Sequence, residues 1–170
     1  VQGGLSKLPQ PWRWNKLFQR HVTRRLRMTD NRVIGKWDQC RRHWQHWREH
    51  GESRPMTALE LGTGWYPVVP VGMFLLGAER VCTVDIAGLM EHDAARLTAE
   101  RYLSLLDAGR LVAADTTRIE RLRTAIAQAD DGVDLLARLG IESLVADAAR
   151  LPLQVESIDL FVSNNTLEHI

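Results

Sequence analysis

The residues best suited to chemistry are two glycines and a carboxylate. The run Met56-Thr57-Ala58-Leu59-Glu60-Leu61 is apolar and short, and it ends in Gly62-Thr63-Gly64. Such a run suits a buried parallel strand delivering the chain into a tight turn. Glycines there let the backbone pass close to a ligand at dihedral angles that a side chain obstructs. A helix starting after the turn, with Pro67 in its first turn, presents unpaired N–H groups and a positive dipole end to an anionic group such as a carboxylate. Asp85 lies 21 residues beyond Gly64 at the end of the apolar run 80–84, where a strand-end carboxylate can accept both hydroxyls of a ribose. These features specify a nucleoside-containing ligand without choosing one. The bland alternative is a tight turn plus a helix-capping aspartate.

The elements that must position these groups follow from periodicity. Strands are expected at 56–61, 80–85, 143–146 and 158–163. Helices are expected from Pro67 to Leu76 with Gly77 as the stop, from about Leu89 to Leu106, over 117–128 and over 132–139. The excursion at about 107–140 is longer than a simple crossover needs and reads as an insertion. Strands and helices in this order predict an α/β fold, a Rossmann-like parallel sheet with right-handed crossovers. Ligands of such sheets bind at the carboxyl ends of the strands.

Ahead of this body, residues 1–54 carry 13 basic and 4 acidic residues, a net +9, whereas residues 55–170 carry −8. Five of the six tryptophans fall in the basic segment. Trp14, Phe18, Val22 and Leu26 line one face of a first expected helix; Val33, Trp37, Cys40, Trp44 and Trp47 line a second, capped by Thr29 or Asp30 and closed by Gly51 and Pro55. The division is thus a helical arm at 1–54 and a ligand-binding domain at 55–170. The tryptophan stripe is expected to pack against the body. Its interleaved arginines could instead grip nucleic acid or an anionic membrane surface.

Composition bounds the rest. With 170 residues, 45% hydrophobic and 25% charged, the chain can bury a real core. Cys40 and Cys82 are isolated rather than paired in a CxxC, so a reducing, cytoplasmic setting is the expectation, without a zinc site. No run approaches a membrane span, and the first ten residues lack the apolar core of a signal peptide. His43, His46 and His50 share helical spacing but have no carboxylate set with them, so solvent-facing histidines are expected rather than a metal site.

Taken together, ELGTG, VDI, VADAARLPL and IDLFVSNNTLEHI, in this order, resemble the motif series of class I S-adenosylmethionine-dependent methyltransferases, in particular the type 11 methyltransferase-domain group. The likeness runs from about Thr57 to the end, excluding the helical excursion. It implies that Glu60, Gly62, Thr63 and Gly64 cradle the methionine part of S-adenosylmethionine, that Asp85 holds the ribose, and that Ile86 lies against the adenine. Asp147 and Ala148 match the pair that reads the adenine edge, and Ser163 and Asn164 would lie beside the methionine tail and the transferring methyl. His169, after the fourth strand, is the candidate general base, needed only for a hydroxyl or protonated-amine acceptor. The implied partner is a small-molecule acceptor, with nucleic acid as a further partner of the basic arm.

Two departures from that pattern stand out. Where the family often has a third glycine this chain has Tyr66, followed by Pro67, which predicts a stiffer, bulkier first loop. The family's sheet also continues with three further strands, so the fourth strand here is expected to carry an open edge, and the fragment alone to be inactive. Two other readings use the same residues: a nicotinamide-dependent oxidoreductase, weakened because GxGxxG demands glycine at Pro67, and a non-catalytic module whose arm engages RNA or protein.

Overall fold

Why a chain of this composition folds as it does is clearest at strand β1, Thr57–Leu61, which is buried on both faces and lies at the centre of the sheet. The computed structural model describes residues 28–51, 56–112 and 114–164. Its remaining elements are helix α1 (Asp30–His50), α2 (Val68–Leu76), β2 (Arg80–Asp85), α3 (Ala94–Asp107), α4 (Thr116–Gln128), α5 (Gly132–Arg138), β3 (Ile141–Val145), a 3-10 turn (Ala148–Arg150) and β4 (Leu160–Ser163). The four strands form one all-parallel sheet in the order β3-β2-β1-β4, a Rossmann-like α/β arrangement with helices ahead of it and between the strands. The first expected helix, through Trp14, Phe18, Val22 and Leu26, lies outside the described residues, as does His169.

The chain builds outward from β1 through β2 to β3 and then returns across β1 to add β4 on its other side. That reversal opens a crevice at the carboxyl ends of β1 and β4, the place where open α/β sheets hold ligands. Alternation of side chains divides the strands between two layers. Ala58, Val81, Ile141 and Val162 join the helices in the main core, while Leu59, Leu61, Cys82 and Val84 pack against Leu144 of β3 and against Leu151, Leu153 and Ile158 of the segment between β3 and β4. Among the described residues β3 and β4 are the two edges of the sheet, and Phe161 on β4 is half exposed.

Helix α1 shares the main core. Thr29 caps its start by accepting the Arg32 N–H at 3.3 Å, and Gly51 ends it. Its stripe Val33, Trp37 and Cys40 is fully buried against α2 and α3, with Trp44 and Trp47 packed at the margin. Trp37 meets Tyr102 edge-to-face at 6.0 Å, and the Tyr102 hydroxyl donates to the Val68 carbonyl at 2.9 Å. A side chain at Gly72 would collide with that hydroxyl at 2.7 Å and crowd Cys40 Sγ at 3.0 Å, so glycine is what lets the three helices close. Asp30, the first residue of α1, is clamped by Arg101 at 2.9 Å and by Arg110.

Three boundaries differ from the sequence expectation by two residues or more. Helix α3 starts at Ala94 rather than Leu89, because residues after β2 turn back on Asp85, whose Oδ1 accepts the Ala87 N–H at 3.2 Å. Strand β3 starts at Ile141, two residues early, since the Gly140 carbonyl accepts the Val81 N–H and brings Ile141 into register with Val81. Strand β4 starts at Leu160 rather than residue 158, Asp159 being held beside Thr57 by a side-chain bond to its N–H at 2.7 Å. The insertion is two helices, α4 and α5, each begun by an aspartate cap, Asp115 and Asp131. Arg96 on α3 ties down the end of α4 by donating to the Ile126 and Ala129 carbonyls at 2.7 and 2.9 Å.

Candidate functional site

Register brings the chemistry together. Leu61 pairs with Val84 on one side and with Ser163 on the other, so Gly62, Asp85 and Asn164 emerge at one level of the same rim. The turn then folds over. Gly62 and Gly64 adopt φ of 90° and 68°, a left-handed conformation that favours glycine, and the Gly64 N–H donates to Asp85 Oδ2 at 2.9 Å. Turn and acid are thus joined directly.

Around them lies a cavity of about 570 Å³ lined by Glu60, Gly62, Thr63, Gly64, Trp65, Tyr66, Asp85 and Asn164, with Arg32 and Lys36 reaching in from α1. Glu60 forms its floor. Its side chain is buried within β1 and accepts a hydrogen bond from the Thr83 hydroxyl at 2.9 Å; Thr63 hydrogen-bonds to the same Thr83 oxygen. Burial pushes the Glu60 carboxyl up to about 7, against the opposing pull of the Thr83 bond and the Lys36 charge. Burial also lowers the Lys36 ammonium, opposed by the charge of Glu60. The guanidinium of Arg32 sits 5.9 Å from the Tyr66 ring centre. Two oxygens of Asp85, each already accepting one backbone N–H, keep further lone pairs for a ligand.

Of the other expected site residues only Asn164 lines the cavity. Ile86 is 81% exposed just past the cavity. Asp147 follows β3 on the same rim, the Ala146 N–H donating to the Asp85 carbonyl at 3.0 Å, but its Oδ1 accepts the Ala149 N–H at 2.9 Å and it does not line the cavity. Ala148 opens the 3-10 turn beside it, exposed. Ser163 ends β4 with a buried hydroxyl, and the buried Asn164 amide nitrogen follows; neither has a hydrogen-bond partner among the described residues. No family model matches the chain, and searches of curated proteins and of solved structures return no match.

Residues not assigned to the site from the sequence enter it here, among them Arg32, Lys36 and Trp65, with Val68 and Val69 of α2. Arg32 and Lys36 are one helical turn apart and directly precede the buried Val33 and Trp37, so the sequence shows that they share one flank of the stripe but not that this flank meets the cleft. The outer side of α1 is different in character. Exposed Arg41, Arg42 and Arg48 alternate there with Asp38 and Glu49, an ordinary solvated face. Among the described residues no helix is long and apolar enough to cross a membrane, and no group of three or more metal-ligating side chains occurs.

Proposed function

We propose that the chain binds S-adenosylmethionine and belongs to an enzyme that transfers its methyl group to a small-molecule acceptor. The observation that carries this reading is the bond from the Gly64 N–H to Asp85 Oδ2, which makes the glycine turn and the strand-end acid two sides of one cleft. Asp85 offers acceptor lone pairs to a ribose diol, and the turn leaves open space beside Gly64, where an added Cβ would meet no atom within 4 Å. A cavity of about 570 Å³ is of the size that holds a nucleoside with an amino-acid tail.

Bound there, S-adenosylmethionine supplies an electrophilic methyl group on a sulfonium. What the protein must add is alignment, since holding an acceptor in line at roughly 3 Å supplies much of the acceleration. Asp85 fixes the sugar, the glycine turn fixes the chain beyond it, and Tyr66 stands at the wall under Arg32. Asp147 and Ala148, on the same rim, are the candidates for the adenine edge, Asp147 Oδ2 being the oxygen not engaged by the turn. His169 is the base this reading assigns where the acceptor must lose a proton.

The test is calorimetry with S-adenosylhomocysteine and, separately, with NAD. Binding of the former, lost on Asp85→Ala and partly kept on Asp85→Asn, is expected. Absence of heat with S-adenosylhomocysteine would end the methyltransferase reading, and heat with NAD alone would put a nicotinamide-dependent oxidoreductase in its place.

A further inference from the structure

The cleft is electrically lopsided. Asp85 stands on the β2 side, while the two cations, Arg32 and Lys36, come from consecutive turns of α1. Lys36 is partly buried, and among the described residues it makes no hydrogen bond or ion pair. Its nearest electrostatic counterweight is Glu60, but that carboxyl is committed to the Thr83 hydroxyl and is itself buried. A partly dry ammonium facing a cavity with no anion in contact is costly to keep, unless an anion arrives with the ligand.

Position adds to this. Helix α1 cannot swing freely, because Val33, Trp37 and Cys40 are locked in the core and Asp30 is clamped to Arg101 and Arg110. The Lys36 stem is therefore presented to the cavity by a rigid element, and Arg32, leaning on Tyr66, flanks it. A ligand with its sugar at Asp85 and an extended tail crossing the glycine turn brings the end of that tail toward α1.

Resting on the cofactor reading above, we propose that Lys36, flanked by Arg32, binds the carboxylate of the ligand's amino-acid tail, so that α1 is a wall of the cofactor site. The fold then selects a nucleoside with an anionic tail over the same nucleoside without one. The arm is a determinant of ligand choice as well as of packing.

The experiment compares two ligands and three proteins by calorimetry. S-adenosylhomocysteine carries the tail; 5′-methylthioadenosine has the same nucleoside and sulfur but no carboxylate. Lys36→Met keeps the stem and removes the charge, and Lys36→Arg keeps a cation. Expected is a loss of roughly 10- to 100-fold in affinity for S-adenosylhomocysteine in Lys36→Met, with methylthioadenosine unchanged and Lys36→Arg near wild type for both. Equal weakening of both ligands in Lys36→Met, or no change in either, would overturn the assignment while leaving the cofactor reading intact. If the wild-type protein binds neither ligand, the cofactor reading falls and this assignment with it.

Discussion

Replacing Glu60 by glutamine isolates the electrostatics of the cleft floor. The carboxyl is buried in β1, and burial raises it from 4.5 to about 7. A raised acid binds its proton more tightly in the folded state than in the unfolded one, so folding stability falls as pH rises through the window from 4.5 to 7. At 1.36 kcal/mol per pKa unit the full penalty above pH 7 is ~3 kcal/mol. The groups that face Glu60 are the Thr83 hydroxyl and the charges of Lys36 and Asp85, of which Lys36 lowers the shift and Asp85 raises it. Glutamine keeps the shape and a carbonyl to accept the Thr83 hydroxyl, but it does not ionise. Glu60→Gln should therefore match wild type near pH 4.5, gain progressively up to pH 7, and stay ~3 kcal/mol more stable beyond it. Urea unfolding followed by tryptophan fluorescence across pH 4.5 to 8.5 reads this difference. A difference between the two proteins that does not change with pH, or a variant less stable than wild type at pH 8, would refute the burial argument.

Two further substitutions test the packing that positions the site. Trp37→Ala should cost about 3–5 kcal/mol, since the ring is 1% exposed between α1 and Tyr102; thermal melting that is unchanged would show that the arm does not share the core. Gly64→Ala should cost only about 1–2 kcal/mol, because its φ of 68° is strained for alanine while no atom lies within 4 Å of the added carbon; a collapse of folding measured by circular dichroism would contradict that open space.

Strand and helix types were legible because apolar runs and helical stripes are local signals. The runs at 57–61 and 80–85 suit central strands of a parallel sheet, and the glycine turn and Asp85 came with them. Boundaries drifted wherever a tertiary bond set them, as at Ile141, whose place depends on the Gly140 carbonyl reaching Val81. The cleft was legible from one side only. Gly62, Gly64 and Asp85 lie on a single βαβ unit and announce themselves by spacing, whereas Arg32 and Lys36 reach them from a separate helix. Nothing within residues 28–51 says which side of the stripe will face the cleft, because that is decided by the fit of Trp37 and Cys40 against Gly72 and Tyr102.

That dependence changes how the arm should be regarded. A basic, tryptophan-rich segment suggests a surface for nucleic acid, yet among the described residues the charge of α1 is divided by the packing into two populations. Arg41, Arg42 and Arg48 stay on the solvent side, paired in sequence with acids, and contribute little that is specific. Arg32 and Lys36 are held against the cavity by burial of their immediate neighbours Val33 and Trp37. The same stripe that anchors α1 to α2 thus sets which two of its cations meet the cleft. A substitution that loosens Trp37 should weaken the grip of the cleft on an anionic tail as well as the fold, whereas one at Arg42 should do neither.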